Sequence, residues 1–269
     1  MSQTYSLRTE AQSTLARLTF ALLLGAPLSA SAETLTHEWV EDTKLYFTAP
    51  LRWDERNWLQ FGASLAAIGV AHEYDSNVRD HFASSSNTAG GPRHDPSLRD
   101  AAPTAAILAG TWALAFAWDD RAGYEEGRMM VEAGLFSVLS TKLVKYAAGR
   151  RRPFETTSVD DWSHGGDSFP SLHVSAAFAI GTVLAESGGD DYRWVRRLLG
   201  YGIAAGTGYA RVEHGAHWLS DTVAGAALGL ATAQFTLNRR SQRASDASLA
   251  VIPQPGGFRL TYTKQLDIR

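Results

Sequence analysis

The sequence predicts an all-α fold: a helical bundle of about six core helices with a short C-terminal β-hairpin attached. Apolar residues recur near helical spacing in long segments between Asn57 and Leu237. Small residues dominate the segments 172–186, 193–209 and 217–237, so these helices can approach closely and converge. The tail changes period. Ala250-Val-Ile-Pro and Phe258-Arg-Leu-Thr-Tyr-Thr-Lys alternate apolar and polar residues around Pro255-Gly256-Gly257.

Gross composition narrows the function. A chain of 269 residues with 45% apolar content can bury one sizeable core. A net charge of −3 argues against nucleic acid as a partner, which calls for a strong basic excess. The chain has no Cys, so disulfides and thiolate chemistry are excluded. Only four of its 25 basic residues are Lys, and two of these, Lys142 and Lys145, fall just before an arginine cluster.

Residues 1–32 read as an export signal. Arg8 and Arg17 supply the basic region, Leu18 to Leu28 the apolar one, and Ala30-Ser31-Ala32 the small-residue cleavage site. An uncleaved anchor is the competing reading. The expected location is the periplasm, or an envelope membrane facing it.

Residues 33–56 form an aromatic and charged lead-in, expected as short helices. The main helical domain runs from 57 to 240 and the tail from 241 to 269. Trp58, Phe61, Leu65, Ile68 and Val70 mark the first long helix. Tyr74 to Asp100 is polar and reads as a loop around a short helix. Ala101 to Trp118 is free of charge for 18 residues, but Pro103, Thr104, Gly110 and Thr111 dilute it. A spanning helix and a buried central helix both fit that stretch. Residues 124–148 form a helix with Gly149 as its stop. Arg150 to Asp167 is a charged loop, and the three small-residue helices follow.

Three clusters between Lys145 and Asp221 carry chemistry. In the first, Lys145 precedes Arg150-Arg151-Arg152-Pro153; arginines bind phosphate oxygens bidentately, yet such a run alone is equally a solvated patch. The second is Ser168-Phe169-Pro170-Ser171-Leu172-His173 at a helix start, where backbone N–H groups attract anions. Ser171 as an ordinary N-cap is the plain alternative. The third is Arg211 with His217 and Asp221, the last two four residues apart and so on one helical face. An Asp that holds one imidazole nitrogen fixes the tautomer and frees the other nitrogen for attack. A core His satisfied by an Asp has the same spacing. His164 and His214 read as bystanders, and the chain shows no acid-rich metal-ligand set.

In order, Lys-x6-Arg-Pro, Pro-Ser-x-His and Arg-x5-His-x3-Asp resemble the tripartite signature of the type 2 phosphatidic acid phosphatase and vanadium haloperoxidase superfamily. The resemblance implies that Lys145, Arg152, Ser171 and Arg211 bind phosphate. It implies His217 as nucleophile, His173 as general acid and Asp221 as partner of His217. Two positions depart from the pattern: Leu172 stands where the family has Gly, and Ala210 where it has Ser. Leu172 narrows the site or supplies an apolar wall.

The leading expectation is a metal-independent phosphatase of a phosphomonoester or pyrophosphate, carried on a small molecule or a lipid, with a phosphohistidine intermediate and no cofactor. Membrane association is part of that expectation. A vanadium-dependent haloperoxidase, with vanadate in the same pocket, is the second reading. A non-catalytic helical envelope protein is the third.

Overall fold

A computed structural model of the chain describes residues 32–85, 97–190, 192–245, 248–254 and 257–263. Apart from its last residue, the expected export signal lies outside the described residues. The described architecture is helical, in agreement with the fold class read from the sequence.

Helix α1 spans Ala32–Phe47 and leads through a 3-10 turn, Ala49–Arg52, into α2, Glu55–Glu73. The lead-in is thus one long helix and one turn rather than several short helices. Asp54 caps α2, its side chain accepting the Asn57 N–H. Helix α3 is Asp75–Ser85 and α4 is Ser97–Ala117. Pro103 is the seventh residue of α4, inside the helix, where its missing N–H removes one intrahelical hydrogen bond. No described helix is long and apolar enough to cross a membrane.

Helix α5, Arg121–Ala148, ends at Gly149, whose φ of 53° is the left-handed conformation a C-cap glycine supplies. Helices α6 (Leu172–Glu186), α7 (Arg193–Glu213) and α8 (Leu219–Ser245) complete the bundle. The sequence places the end of the last helix at the basic run Arg239-Arg240, but the helix runs on to Ser245. Arg239 and Arg243 donate to the buried Asp42 of α1, and Arg240 to Glu125 of α5, so these cations are pairing groups rather than a stop.

The small-residue helices approach as their composition implies. A Cβ on Gly181 of α6 would stand 2.5 Å from the Gly200 carbonyl oxygen of α7. One on Gly229 of α8 would stand 2.3 Å from that of Ser175. Helix α6 is therefore clasped backbone to backbone from two sides. A core of Met129, Met130, Ala133, Ala179, Ile180, Val183 and Ala233 joins α5, α6 and α8. In the tail, β1 (Ser248–Gln254) pairs antiparallel with β2 (Gly257–Thr263).

Candidate active site

The site forms where the C-terminal ends of α5 and α7 meet the N-terminal ends of α6 and α8. The left-handed Gly149 turns the chain inward after Lys145, and its neighbour Arg150 enters the core with no exposure to solvent. A close approach holds that turn: a Cβ on Gly166 would lie 2.2 Å from the Arg150 carbonyl oxygen. Lys145 Nζ donates to the carbonyl oxygens of Asp167 and Ser168. Burial depresses Lys145 to about 8, with the Asp167 charge opposing and the Arg152 charge assisting. Arg152 makes a forked pair with Asp167, Nε at 2.7 Å and Nη2 at 3.0 Å. Asp167 titrates below the usual carboxylate range: burial would raise it, but the Arg152 hydrogen bond and charge prevail.

Ser171 is the N-cap residue of α6, but its hydroxyl caps nothing. It is fully buried, and its Oγ has no hydrogen-bond partner. That departs from the ordinary capping role and leaves a donor at a helix N-terminus. The Ser171 N–H donates to the Asp221 backbone carbonyl at 3.0 Å, which joins the α6 and α8 starts. His173 stands half-buried in the first turn of α6.

Arg211, in the last turn of α7, is fully buried and donates through Nη1 to Asp100 Oδ2 at 2.8 Å. His214 Nδ1 lies 3.3 Å from the same oxygen. His214 therefore belongs with Asp100, beside the Arg211 guanidinium, and is less of a bystander than its spacing implied. His164 contacts Asp161 on the exposed loop. Among the described residues no three His, Asp or Glu side chains converge to hold a metal ion.

His217 is 2% exposed and Asp221 fully buried. His217 Nδ1 faces Asp221 Oδ2 at 3.5 Å, longer than a normal hydrogen bond. Burial holds the imidazole at about 4, with the hydrogen-bonding and charge of Asp221 opposing and the charges of Lys145 and Arg211 assisting. His217 is therefore a neutral imidazole at pH 7. Asp221 is lowered: burial would raise it, but His217, Arg150 and Ser168 stabilise the anion. Its Oδ2 accepts the Ser168 hydroxyl and the Trp218 N–H, its Oδ1 the Arg150 Nη1.

Residues 128–244 match the family model of the PAP2 superfamily, a stretch that holds all three clusters. The helical segment that carries the site belongs to the PAP2 superfamily. A lipid A 1-phosphatase of Porphyromonas gingivalis is 35% identical over 107 residues, which cover 39% of this chain and 22% of that protein. The chain thus spans about a fifth of the length of the curated relative it matches. A phosphatidylglycerolphosphate phosphatase of Bacillus subtilis aligns in structure with a TM-score of 0.40 and 19% identity, over 85% of this chain and 96% of that one.

Within this PAP2 segment the structure gathers Lys145, Arg152, Arg211, His217 and Asp221 into one electrostatic neighbourhood, with Ser171 bonded to Asp221. Four contributors escaped the sequence reading. Arg150 was hidden in a three-arginine run whose members look alike. Ser168 heads the second cluster but was given no role there; Asp75 and Asp100 belong to no motif and reach the site from helices outside the PAP2 match.

Proposed function

We propose that this chain is a metal-independent phosphatase that cleaves a phosphomonoester or pyrophosphate through a phosphohistidine on His217, and that its substrate is a lipid phosphate. The carrying observation is the sealed pair of neutral His217 and ionised Asp221 beside buried cations.

In the first step, the free Nε2 of His217 attacks phosphorus and the bond to the ester oxygen breaks. His173 gives its proton to the departing alkoxide. Lys145, Arg152 and Arg211 stabilise the oxygens of the transferring group, and the Ser171 hydroxyl donates to one of them. Asp221 supports the imidazolium that forms. In the second step, His173 takes a proton from water, the hydroxide oxygen attacks phosphorus and His217 leaves as imidazole. No cofactor enters either step.

Two observations support a lipid substrate. The lipid A 1-phosphatase is a relative by sequence. An apolar cavity of about 320 Å³ is lined by Val174, Val212 and Leu219, which stand within two positions in sequence of His173, Arg211 and His217. A hydrocarbon chain can lie there. We read residues 1–32 as an export signal and the domain as periplasm-facing and membrane-associated.

The test is a panel of lipid and soluble phosphates assayed with the wild type and His217→Ala. Phosphate release that His217→Ala abolishes in a folded protein supports the proposal. Equal turnover by the mutant rejects it.

A further inference from the structure

We propose that Asp75 and Arg150 are positioning residues: Asp75 anchors Arg150 and Ser220, and together these fix the Asp221 carboxylate against His217. The inference rests on the phosphatase reading above.

Arg150 is saturated. Its Nη1 donates to Asp221 Oδ1 at 2.7 Å and to Ser220 Oγ at 2.8 Å. Its Nη2 donates to Asp75 Oδ2 and to the Val159 carbonyl, each at 2.7 Å, and Nε to the same carbonyl at 3.2 Å. Nη2 also lies 3.2 Å from His72 Nδ1, so the five N–H donors face six contacts. The rings of Trp162 and Trp218 lie 4.5 and 5.2 Å from its central carbon. A guanidinium held this way has one orientation, so Asp221 Oδ1 has one place.

Asp75 provides a second link. Its Oδ1 accepts the Ser220 N–H at 2.8 Å, in the first turn of the helix that bears Asp221. Its Oδ2 accepts the Ser220 hydroxyl at 2.6 Å. That hydroxyl donates to Asp75 and accepts from Arg150, so its own direction is set. One carboxylate therefore pins both the guanidinium and the helix start. With Oδ1 of Asp221 committed to Arg150, it is Oδ2, which also accepts the Ser168 hydroxyl and the Trp218 N–H, that faces His217 Nδ1.

Stability is a weak reason for such a group. Two carboxylates and a guanidinium, all essentially unexposed, lose hydration that their attraction roughly offsets, and an apolar replacement often packs as well. Orientation is the stronger reason. Asp75 contacts His72, Arg150 and Ser220, so it acts on the reaction through others.

The test compares wild type, Asp75→Asn, Arg150→Lys and Ser220→Ala by steady-state kinetics and by isotope-edited NMR of the His217 imidazole. We expect kcat to fall about 10–100-fold, the range for loss of an orienting outer partner, with KM nearly unchanged. We expect a single Nδ1–H tautomer in the wild type and a mixture in the variants. Ser220→Ala reads the same link should Asp75→Asn not fold. Folded variants that keep wild-type kcat and one tautomer overturn the inference, as does an effect confined to KM. A wild type without phosphatase activity rejects the functional reading. The tautomer comparison then still decides whether Asp75 orients the pair.

Discussion

His217 Nδ1 stands 3.5 Å from Asp221 Oδ2, and solvent reaches neither side chain appreciably. A contact of that length tightens if the imidazole becomes positive, because opposite charges then face each other without competing water. In the proposed mechanism the pair would therefore favour a charged nitrogen during reaction over one at rest. Asp221→Asn keeps the shape and removes the charge. It should lower kcat about 100-fold or more, with a smaller change in KM. Steady-state kinetics on the folded variant check this.

Under the proposed mechanism, the pH profile follows from two groups. His217 attacks only when neutral, so kcat/KM should fall as pH drops through about 4. Lys145 stabilises phosphate only when charged, so activity should fall as pH rises through about 8. Lys145→Arg keeps its proton at any working pH and should move the alkaline limb upward. A kcat/KM profile of both proteins is the measurement.

Glu132 makes stability depend on pH. It is 6% exposed on α5, its Oε1 lacks a hydrogen-bond partner, and its carboxyl is raised to about 7. Burial is the main cause, the Asp42 charge the second, with Arg128 and Arg243 opposing. A raised folded-state value means stability present below the unfolded value of 4.5 and lost as pH rises through 7. Glu132→Gln should thus be nearly neutral at acid pH and stabilise at pH above 7, by up to about 3 kcal/mol. Thermal unfolding at both ends of that range tests it.

The glycines divide cleanly. Gly229→Ala would press its methyl against the Ser175 carbonyl of α6 and should cost about 1–3 kcal/mol or more. Gly202 and Gly206 on α7 have nothing within 4 Å of an added Cβ. Alanine there should stabilise by about 0.5–1 kcal/mol through helix propensity. Denaturant unfolding of the three variants distinguishes the cases.

These contrasts show what the sequence could disclose. Lys145, Arg152, Ser171, Arg211, His217 and Asp221 could be proposed from the sequence because each sits at a fixed spacing from a neighbour in a local motif. The small-residue helices were legible because composition limits how close two axes can come. Arg150 was not, since nothing local separates it from Arg151 and Arg152; the left-handed turn at Gly149 and the clasp at Gly166 select it. Asp75 was not, because its partner Ser220 is 145 positions away. The end of α8 was misread for the same reason. Arg239-Arg240 look like a terminus until Asp42 and Glu125, from distant helices, appear beside them.

The central claim is a covalent bond between phosphorus and His217. The most direct measurement mixes the enzyme with a radiolabelled phosphate ester, quenches in alkali, where phosphohistidine survives, and maps the label by peptide. The account predicts label on the peptide that holds His217, appearing during turnover and absent in His217→Asn. Turnover without any label on that peptide, or label that persists in His217→Asn, would contradict it.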